Sequence, residues 1–213
     1  MRIALSILLC LSLTFAWSKD GIKCPTDVDH SPAKTNRQTL ETKIPNIVKL
    51  EFSCGRCTGF IIGKNKFLTA SHCTAWPSLK IVAVFYDGRK SELKLVKAGD
   101  YINKPDEDIA ILTGNSYGIE PMELAQGCPL PQQCGSFGYG QDGKQKAVRC
   151  YGGQPVPSSD GLWVFAGEID HGDSGGPICN LNGDVLGMQV SMAREGKPIF
   201  FAVPSCKLLE FMK

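Results

Sequence analysis

The sequence predicts an all-β fold, and two observations support that class. Short runs rich in valine, isoleucine and phenylalanine recur along the chain, and 23 glycines and 13 prolines are spread between them. Apolar runs bounded by turn-forming residues are typical of short strands joined by turns. The chain has 213 residues, of which 43% are hydrophobic, so it can bury a sizeable core in one large or two small domains.

The N-terminus has the pattern of a secretory signal peptide. A positively charged start is followed by a nearly unbroken apolar stretch from Ile3 to Trp17. We assign residues 1–18 to the signal peptide and residues 19–43 to a polar N-terminal extension. The apolar stretch is shorter than the roughly 20 residues that span a bilayer, so a retained membrane anchor is the alternative. We expect a secreted protein, extracellular or periplasmic, that is not membrane-bound after signal removal.

Six strand-like runs are expected in the first half of the folded domain, at about residues 44–113. In chain order they are Ile47–Phe52, Thr58–Ile62, Phe67–Ala70, Lys80–Phe85, Ser91–Val96 and Ile109–Leu112. The stretch that follows, Gly114–Pro131, is rich in glycine, proline and polar residues. This composition favours a crossover between two halves of the domain.

A second set of runs is expected at about residues 132–204. They are Gly135–Tyr139, Lys146–Tyr151, Leu162–Phe165, Pro177–Cys179, Val185–Ser191 and Pro198–Val203. Beyond them, Leu208, Leu209 and Met212 have helical spacing, which predicts a short closing helix within residues 205–213. The net charge is only +2 and the charges are dispersed, so the sequence has no footprint of a nucleic-acid-binding protein.

The run His171-Gly-Asp-Ser-Gly-Gly-Pro177 predicts a reactive serine on a tight turn. A serine hydroxyl attacks a carbonyl only if a base takes its proton and donors stabilise the oxyanion that forms. The glycines allow tight backbone geometry, so that the N–H groups of Gly172 and Ser174 can converge on one oxygen. Ser174 is therefore the candidate nucleophile, and a glycine-rich surface turn is the alternative interpretation.

Two further segments supply the partners that a serine nucleophile needs. His72 follows an apolar strand-like segment in Leu68-Thr-Ala-Ser-His-Cys73, and Asp108 stands immediately before the apolar run Ile109–Leu112. An aspartate that accepts from Nδ1–H of a histidine holds the tautomer whose Nε2 can take the serine proton. Separately, each residue has a structural explanation. Together with Ser174, they predict a catalytic triad.

With these three segments the chain resembles the chymotrypsin/trypsin-like serine peptidases, in which the catalytic residues occur in the order His, Asp, Ser. Cys57-Thr-Gly-Phe-Ile-Ile62 resembles the family's strand ahead of the histidine, and Cys134-Gly-Ser-Phe-Gly-Tyr-Gly140 resembles a further segment of the family. The resemblance covers about residues 45 to 206. It implies two packed antiparallel six-stranded β-barrels with the triad between them.

The implied function is a secreted serine endopeptidase that acts through an acyl-enzyme and needs neither metal nor cofactor. Its partners would be polypeptide substrates, and protein protease inhibitors are a further class that the resemblance admits. The alternative is a non-catalytic binding module on a serine-protease scaffold, which occurs in this family when triad residues are lost. Here all three are retained.

Nine cysteines remain after signal removal, and the resemblance suggests three bridges between them. These are Cys57–Cys73, Cys134–Cys179 and, less closely, Cys24–Cys128; Cys54, Cys150 and Cys206 stay unassigned. One cysteine must lack a partner within the chain. The pair Cys54 and Cys57 also has the spacing of a redox motif or of half a zinc site, which is the alternative for that pair.

The sequence departs from the trypsin-like pattern at the expected activation site. No Ile-Val-Gly-Gly segment follows a basic residue, and cutting after Lys34 or Arg37 would expose Thr35 or Gln38. The residue that pairs with the new terminus in trypsin-like members, Asp173, is retained. The sequence therefore predicts that signal removal alone completes maturation, as in bacterial-type members, whose C-terminal run this chain resembles. The alternative is that a different amine or a side chain pairs with Asp173.

The substrate-binding residues are the second departure. Glu168 stands at the position of the acid that selects Lys or Arg, but Asp170 replaces the cysteine that closes this pocket in the family. A preference for basic residues is therefore one expectation, and a solvated loop acid is the other. Ser191 ends the strand expected to pair with substrate, although the segment carries one extra residue; a buried strand serine is the alternative.

Overall fold

The computed structural model describes residues 38–213 apart from residues 54, 76–79, 131–132, 145–148, 153–154, 168 and 193–198. The predicted signal peptide and most of the polar extension therefore lie outside the described residues. Within the described part of the chain, no helix is both long and apolar enough to cross a bilayer. Its secondary structure is mostly antiparallel strand, in two halves joined by a crossover.

The first half is a closed barrel of six antiparallel strands in the order β1-β2-β3-β6-β5-β4. The strands are β1 Ile47–Phe52, β2 Gly55–Gly63, β3 Lys66–Thr69, β4 Ile81–Val84, β5 Lys90–Ala98 and β6 Ala110–Thr113. β4 and β6 alternate between buried and half-buried residues, because successive side chains of a strand point to opposite faces. All six predicted strands are confirmed.

The second half is a sheet in the order β8-β7-β11-β12-β13-β10-β9. Its strands are β7 Gln133–Ser136, β8 Arg149–Gly152, β9 Val156–Pro157, β10 Trp163–Ala166, β11 Pro177–Cys179, β12 Val185–Met192 and β13 Ile199–Pro204. The predicted all-β double-barrel class is confirmed. Among the strands that the structure describes here, the sequence missed β9, which has two residues and lies at one end of the order.

A shared hydrophobic core joins the two halves. One cluster contains Phe60 and Phe67 from the first barrel together with Met188 and Val203 from the second sheet, and all four are 0% exposed. Full burial of a side chain of this size stabilises the folded state by about 1.5–3 kcal/mol. The core therefore holds β2 and β3 of the first barrel in a defined position relative to β12.

The predicted C-terminal helix is present at Ser205–Phe211. Oγ of Ser205 donates to the carbonyl of Gly127 in the crossover at 3.0 Å, and Nζ of Lys207 lies 2.9 Å from Oδ2 of Asp106. Hydrogen bonding to Asp106 raises the pKa of Lys207. The helix is thus attached both to the crossover and to the turn that leads into Asp108.

The disulfides agree with one predicted bridge and correct two others. Cys57–Cys73 is present, and Cys128 is bonded to Cys206, not to Cys24. The correction follows from the C-terminal helix, which brings Cys206 to the crossover. Cys24 and Cys54 lie outside the described residues.

The predicted bridge Cys134–Cys179 is also wrong. Cys179 is a fully buried thiol whose pKa is raised by burial. The ladder between β7 and β11 places Cys179 opposite Gly135, so Cys134, one residue away, points to the other face of the sheet. Accordingly, the two cysteines belong to different hydrophobic clusters.

Candidate active site

His72 and Asp108 form a close pair between the two halves of the molecule. Nδ1 of His72 lies 2.7 Å from Oδ2 of Asp108, and the backbone N–H of His72 donates to Oδ1 at 2.9 Å. Asp108 is only 7% exposed. A carboxylate accepts but does not donate, so Nδ1 carries the proton. In the neutral ring Nε2 is then the atom with a free lone pair.

Short helical turns place these two side chains. His72 lies in the 3-10 turn Ser71–Thr74, and Asp108 caps the 3-10 turn Pro105–Glu107. Oγ of Ser71 donates to the carbonyl of Gly99 at 2.8 Å, and the N–H of Gly99 donates to the carbonyl of Ile109 at 2.9 Å. These bonds tie the histidine turn to the start of the strand that follows Asp108.

The disulfide Cys57–Cys73 supports the same turn. It closes a loop with a sequence separation of 16, which stabilises the folded protein by about 3 kcal/mol. Sγ of Cys73 lies 3.7 Å from Nε2 of His72 and 4.0 Å from the carbonyl oxygen of Ser174. The sulfur therefore contacts both the imidazole and the residue that carries the candidate nucleophile.

Ser174 lies on a turn between β10 and β11. Gly172 has a φ of +99° and Gly175 a φ of +83°, which favour glycine. A side chain on Gly175 would also collide with the carbonyl of Thr58. Among the described residues, the N–H groups of Gly172 and Ser174 have no hydrogen-bond partner. Both donors are therefore available to an oxygen in the site.

The hydroxyl of Ser174 does not form a hydrogen bond to His72 in this conformation. It donates instead to the carbonyl of Val190 on β12 at 3.2 Å. Within the described residues no hydrogen bond joins it to the imidazole. The structure thus brings His72 and Asp108 together directly, and Ser174 beside them.

Thr58 positions the nucleophile turn, and sequence reasoning missed it. Its N–H donates to the carbonyl of Ser174 at 2.8 Å and its Oγ1 donates to the carbonyl of Gly172 at 2.7 Å. Thr69 in turn donates to the carbonyl of Thr58 at 2.7 Å, and both threonines are 0% exposed. The signal that could have identified them is that each threonine is a polar residue within an apolar strand run.

β12 supplies the opposite wall of the site. Its last pairing with β11 joins Met188 to Pro177, and the strand continues to Met192. Gln189 binds the turn through its backbone, because its carbonyl accepts from Gly175 at 2.7 Å. Ser191, the predicted substrate-aligning residue, is exposed at this end of β12. The alternative of a buried strand serine is thereby excluded.

The carboxylate of Asp173 is 1% exposed and is satisfied by backbone donors. Oδ1 accepts from the N–H of Gly140 at 2.8 Å, and Oδ2 accepts from the N–H of Asp170 at 2.7 Å. Gly138 is needed beside it, because a side chain there would collide with the carboxylate. Each oxygen of the residue that the resemblance pairs with a newly cut terminus thus accepts from a backbone N–H.

Two other predictions from the sequence concern the role of Glu168 and a zinc or redox site at Cys57. Glu168 lies outside the described residues, so its role in substrate selection stays a prediction. Ligand atoms of Cys57, His72 and Cys73 lie within 4.8 Å of one another. Both sulfurs belong to one disulfide and cannot act as thiolate ligands, which weighs against the zinc and redox alternatives for Cys57.

Comparisons with known proteins agree with this architecture. The family model described as Trypsin matches residues 34–212. Serine protease Rv3671c of Mycobacterium tuberculosis is 28% identical over 179 residues, which cover 74% of this chain and 43% of that protein. The chain thus spans less than half the length of this curated relative.

Solved structures show the same fold at lower sequence identity. The active form of the Rv3671c protease from M. tuberculosis has a TM-score of 0.69 and 21% identity, with 85% of each chain covered. The HtrA-type protease AlgW with a tripeptide has a TM-score of 0.69 and 21% identity, with 83% of this chain and 62% of that chain covered.

Proposed function

The chain belongs to the trypsin family, and from that membership we propose that it is a secreted serine endopeptidase with a Ser174–His72–Asp108 triad. One observation carries the proposal: the pair formed by Asp108 and Nδ1 of His72 lies beside the turn of Ser174. This arrangement leaves Nε2 as the proton acceptor. It is the tautomer that serine activation requires.

The proposed reaction follows from these positions. Nε2 of His72 takes the proton of Ser174 while Oγ bonds to the carbonyl carbon of the substrate. The N–H groups of Gly172 and Ser174 donate to the oxyanion, and Asp108 stabilises the imidazolium. His72 then gives its proton to the leaving amine as the carbon–nitrogen bond breaks. Water, deprotonated by His72, hydrolyses the acyl-enzyme in the same way.

Catalysis in this scheme requires a rotation of the Ser174 side chain. Its hydroxyl bonds to Val190, and turning about the Cα–Cβ bond releases that contact. The bond released is a single neutral hydrogen bond, which is worth only about 1 kcal/mol. Catalytic hydrogen bonds in free enzymes are commonly loose and tighten when substrate binds.

The proposed substrates are polypeptides in extended conformation. β12 extends past β11 to Met192, so the end of the strand at the exposed residue Ser191 is placed to pair with the acyl side of a substrate. The HtrA-type protease AlgW was solved with a tripeptide, which supports this substrate class. The proposed preference for Arg or Lys before the cleaved bond rests on Glu168 alone. Protein protease inhibitors, a further proposed class of partner, would compete with substrates for the same cleft.

A fluorophosphonate probe tests the proposed triad and separates it from a binding module. We expect wild type to be labelled at Ser174, because only an activated hydroxyl reacts with this probe. His72→Ala should slow labelling by about 10³-fold or more while the protein stays folded, since the base is lost. Equal labelling of both proteins would contradict a histidine base. No labelling of folded wild type would favour the binding module.

Maturation is proposed to end with signal removal. Because each oxygen of Asp173 accepts from a backbone donor, the nucleophile turn is held by bonds that do not depend on a new amino terminus. We therefore expect full activity from protein that is uncut at Lys34 and Arg37, with the intact terminus verified by mass spectrometry. A double variant, Lys34→Gln with Arg37→Gln, should be equally active. Activity that appears only after trimming by a trace protease would overturn this prediction.

A further inference from the structure

Arg56 lies against the turn that carries the candidate oxyanion donors. It stands on β2, one residue before the bridged Cys57. Its Cγ is 3.3 Å from the position that a Cβ atom on Gly172 would take. Its guanidinium fills the space that a Cβ atom on Gly143 would take. The side chain thus extends from the nucleophile turn toward a second loop, with its charge at the outer end.

Among the described residues, no carboxylate neutralises the positive charge of Arg56. The side chain is exposed, and no carboxylate pairs with it among the residues described here. Glu51, which faces it across the β1–β2 ladder, binds Lys49 at 2.8 Å and Lys90 at 3.8 Å. The hydrogen bond from Lys49 is the main cause that lowers the pKa of Glu51, and Arg56 contributes little. A guanidinium therefore faces solvent beside the site.

Arg56 lies on the side of Ser174 where the leaving group departs. Ser174 sits between two strands: its hydroxyl contacts Val190 on β12, and its carbonyl accepts from Thr58 on β2. In the proposed function the acyl part of a substrate pairs with the end of β12. An extended chain that crosses Ser174 must then continue over the start of β2, which is where Arg56 stands.

We propose that Arg56 is a specificity-determining residue that binds an acidic side chain at one of the two residues after the cleaved bond. This inference rests on the proposed function. Successive residues of an extended chain are about 3.3 Å apart, so both positions lie within reach of a long arginine side chain. The planar guanidinium binds a carboxylate through two parallel hydrogen bonds. Because the pair is exposed, its effect on kcat/KM is about 2- to 5-fold.

The test uses peptides that share one acyl half and carry Glu or Gln at the first or second residue after the cleaved bond. Wild type should cleave the Glu peptide about 2- to 5-fold more efficiently at one of these positions, and salt should reduce the difference. Arg56→Gln should abolish the difference. Arg56→Glu should reverse it, so that a Lys peptide becomes the better substrate. Arg89→Gln, an exposed cation paired with Asp87, is the matched control and should behave as wild type.

An ester with the same acyl half but no residue after the cleaved bond separates binding from structural damage. Wild type, Arg56→Gln and Arg89→Gln should hydrolyse it at equal rates, because glutamine keeps the Cγ that packs against the turn of Gly172 and the ester has no residue on the leaving side. Equal cleavage of the Glu and Gln peptides by wild type would overturn the inference, as would a retained Glu preference in Arg56→Glu. If wild type cleaves no peptide and takes no fluorophosphonate, the proposed function fails and the inference fails with it.

Discussion

Replacement of Ser174 by alanine is expected to lower kcat by about 10³-fold or more while the protein remains folded. The variant has no oxygen to bond to the substrate carbonyl, so no acyl-enzyme forms. What remains is binding and the oxyanion donors, which still accelerate attack by water weakly. Hydrolysis of a peptide substrate under steady-state conditions measures the loss.

The fold should tolerate this change, since among the described residues Oγ of Ser174 makes one hydrogen bond, to the carbonyl of Val190. The free energy of unfolding should change by no more than about 1 kcal/mol, as measured by denaturant titration. Ser159→Ala removes a hydroxyl from an exposed turn and serves as the control, with kcat unchanged. Comparable hydrolysis by Ser174→Ala and wild type would exclude Ser174 as the nucleophile.

Asp108→Asn is expected to lower kcat by about 10⁴-fold with a small change in KM. The amide oxygen can still accept from the backbone N–H of His72, which holds the turn. Its NH₂ group then faces Nδ1, which must become an acceptor, so the proton moves to Nε2. A histidine in that tautomer cannot take the proton of Ser174. Steady-state kinetics on a peptide substrate separates kcat from KM.

A matched control for this variant is Asp87→Asn, which changes an exposed aspartate paired with Arg89 on the first barrel. Its kinetics should equal those of wild type. Fluorophosphonate labelling of Asp108→Asn should slow together with kcat, because both report activation of the hydroxyl. A loss of less than tenfold in kcat would show that Asp108 does not orient the base.

Most strands could be predicted because their signals are local. Pro177–Cys179 was predicted with both ends correct, since glycine and proline bound a short apolar run. β7 ends at Ser136, earlier than the predicted Tyr139, because the N–H of Tyr139 turns to Oγ1 of Thr58 on the first barrel. β9 escaped prediction because a two-residue strand with a proline gives no periodic pattern.

The candidate site also contains residues with a local sequence signal and contacts without one. His72 and Asp108 each follow from a short local segment, and the structure places them in contact. The ties from Thr58 to Gly172 span 114 positions and the contact of Ser174 with Val190 depends on sheet register, so neither has a local signal. Likewise, the partner of Cys128 depends on where the C-terminal helix docks.

The strand order also limits where unfolded polypeptides, the proposed substrates, can add to the sheet edges of this protein. Unfolded polypeptides add readily to unpaired sheet edges, which is a route to aggregation. The closed first barrel has no such edge. In the described part of the second half, the order ends on one side at β9, which is two residues long. Pro157 there has no N–H to offer, so an incoming chain gains almost no ladder at this end of the order.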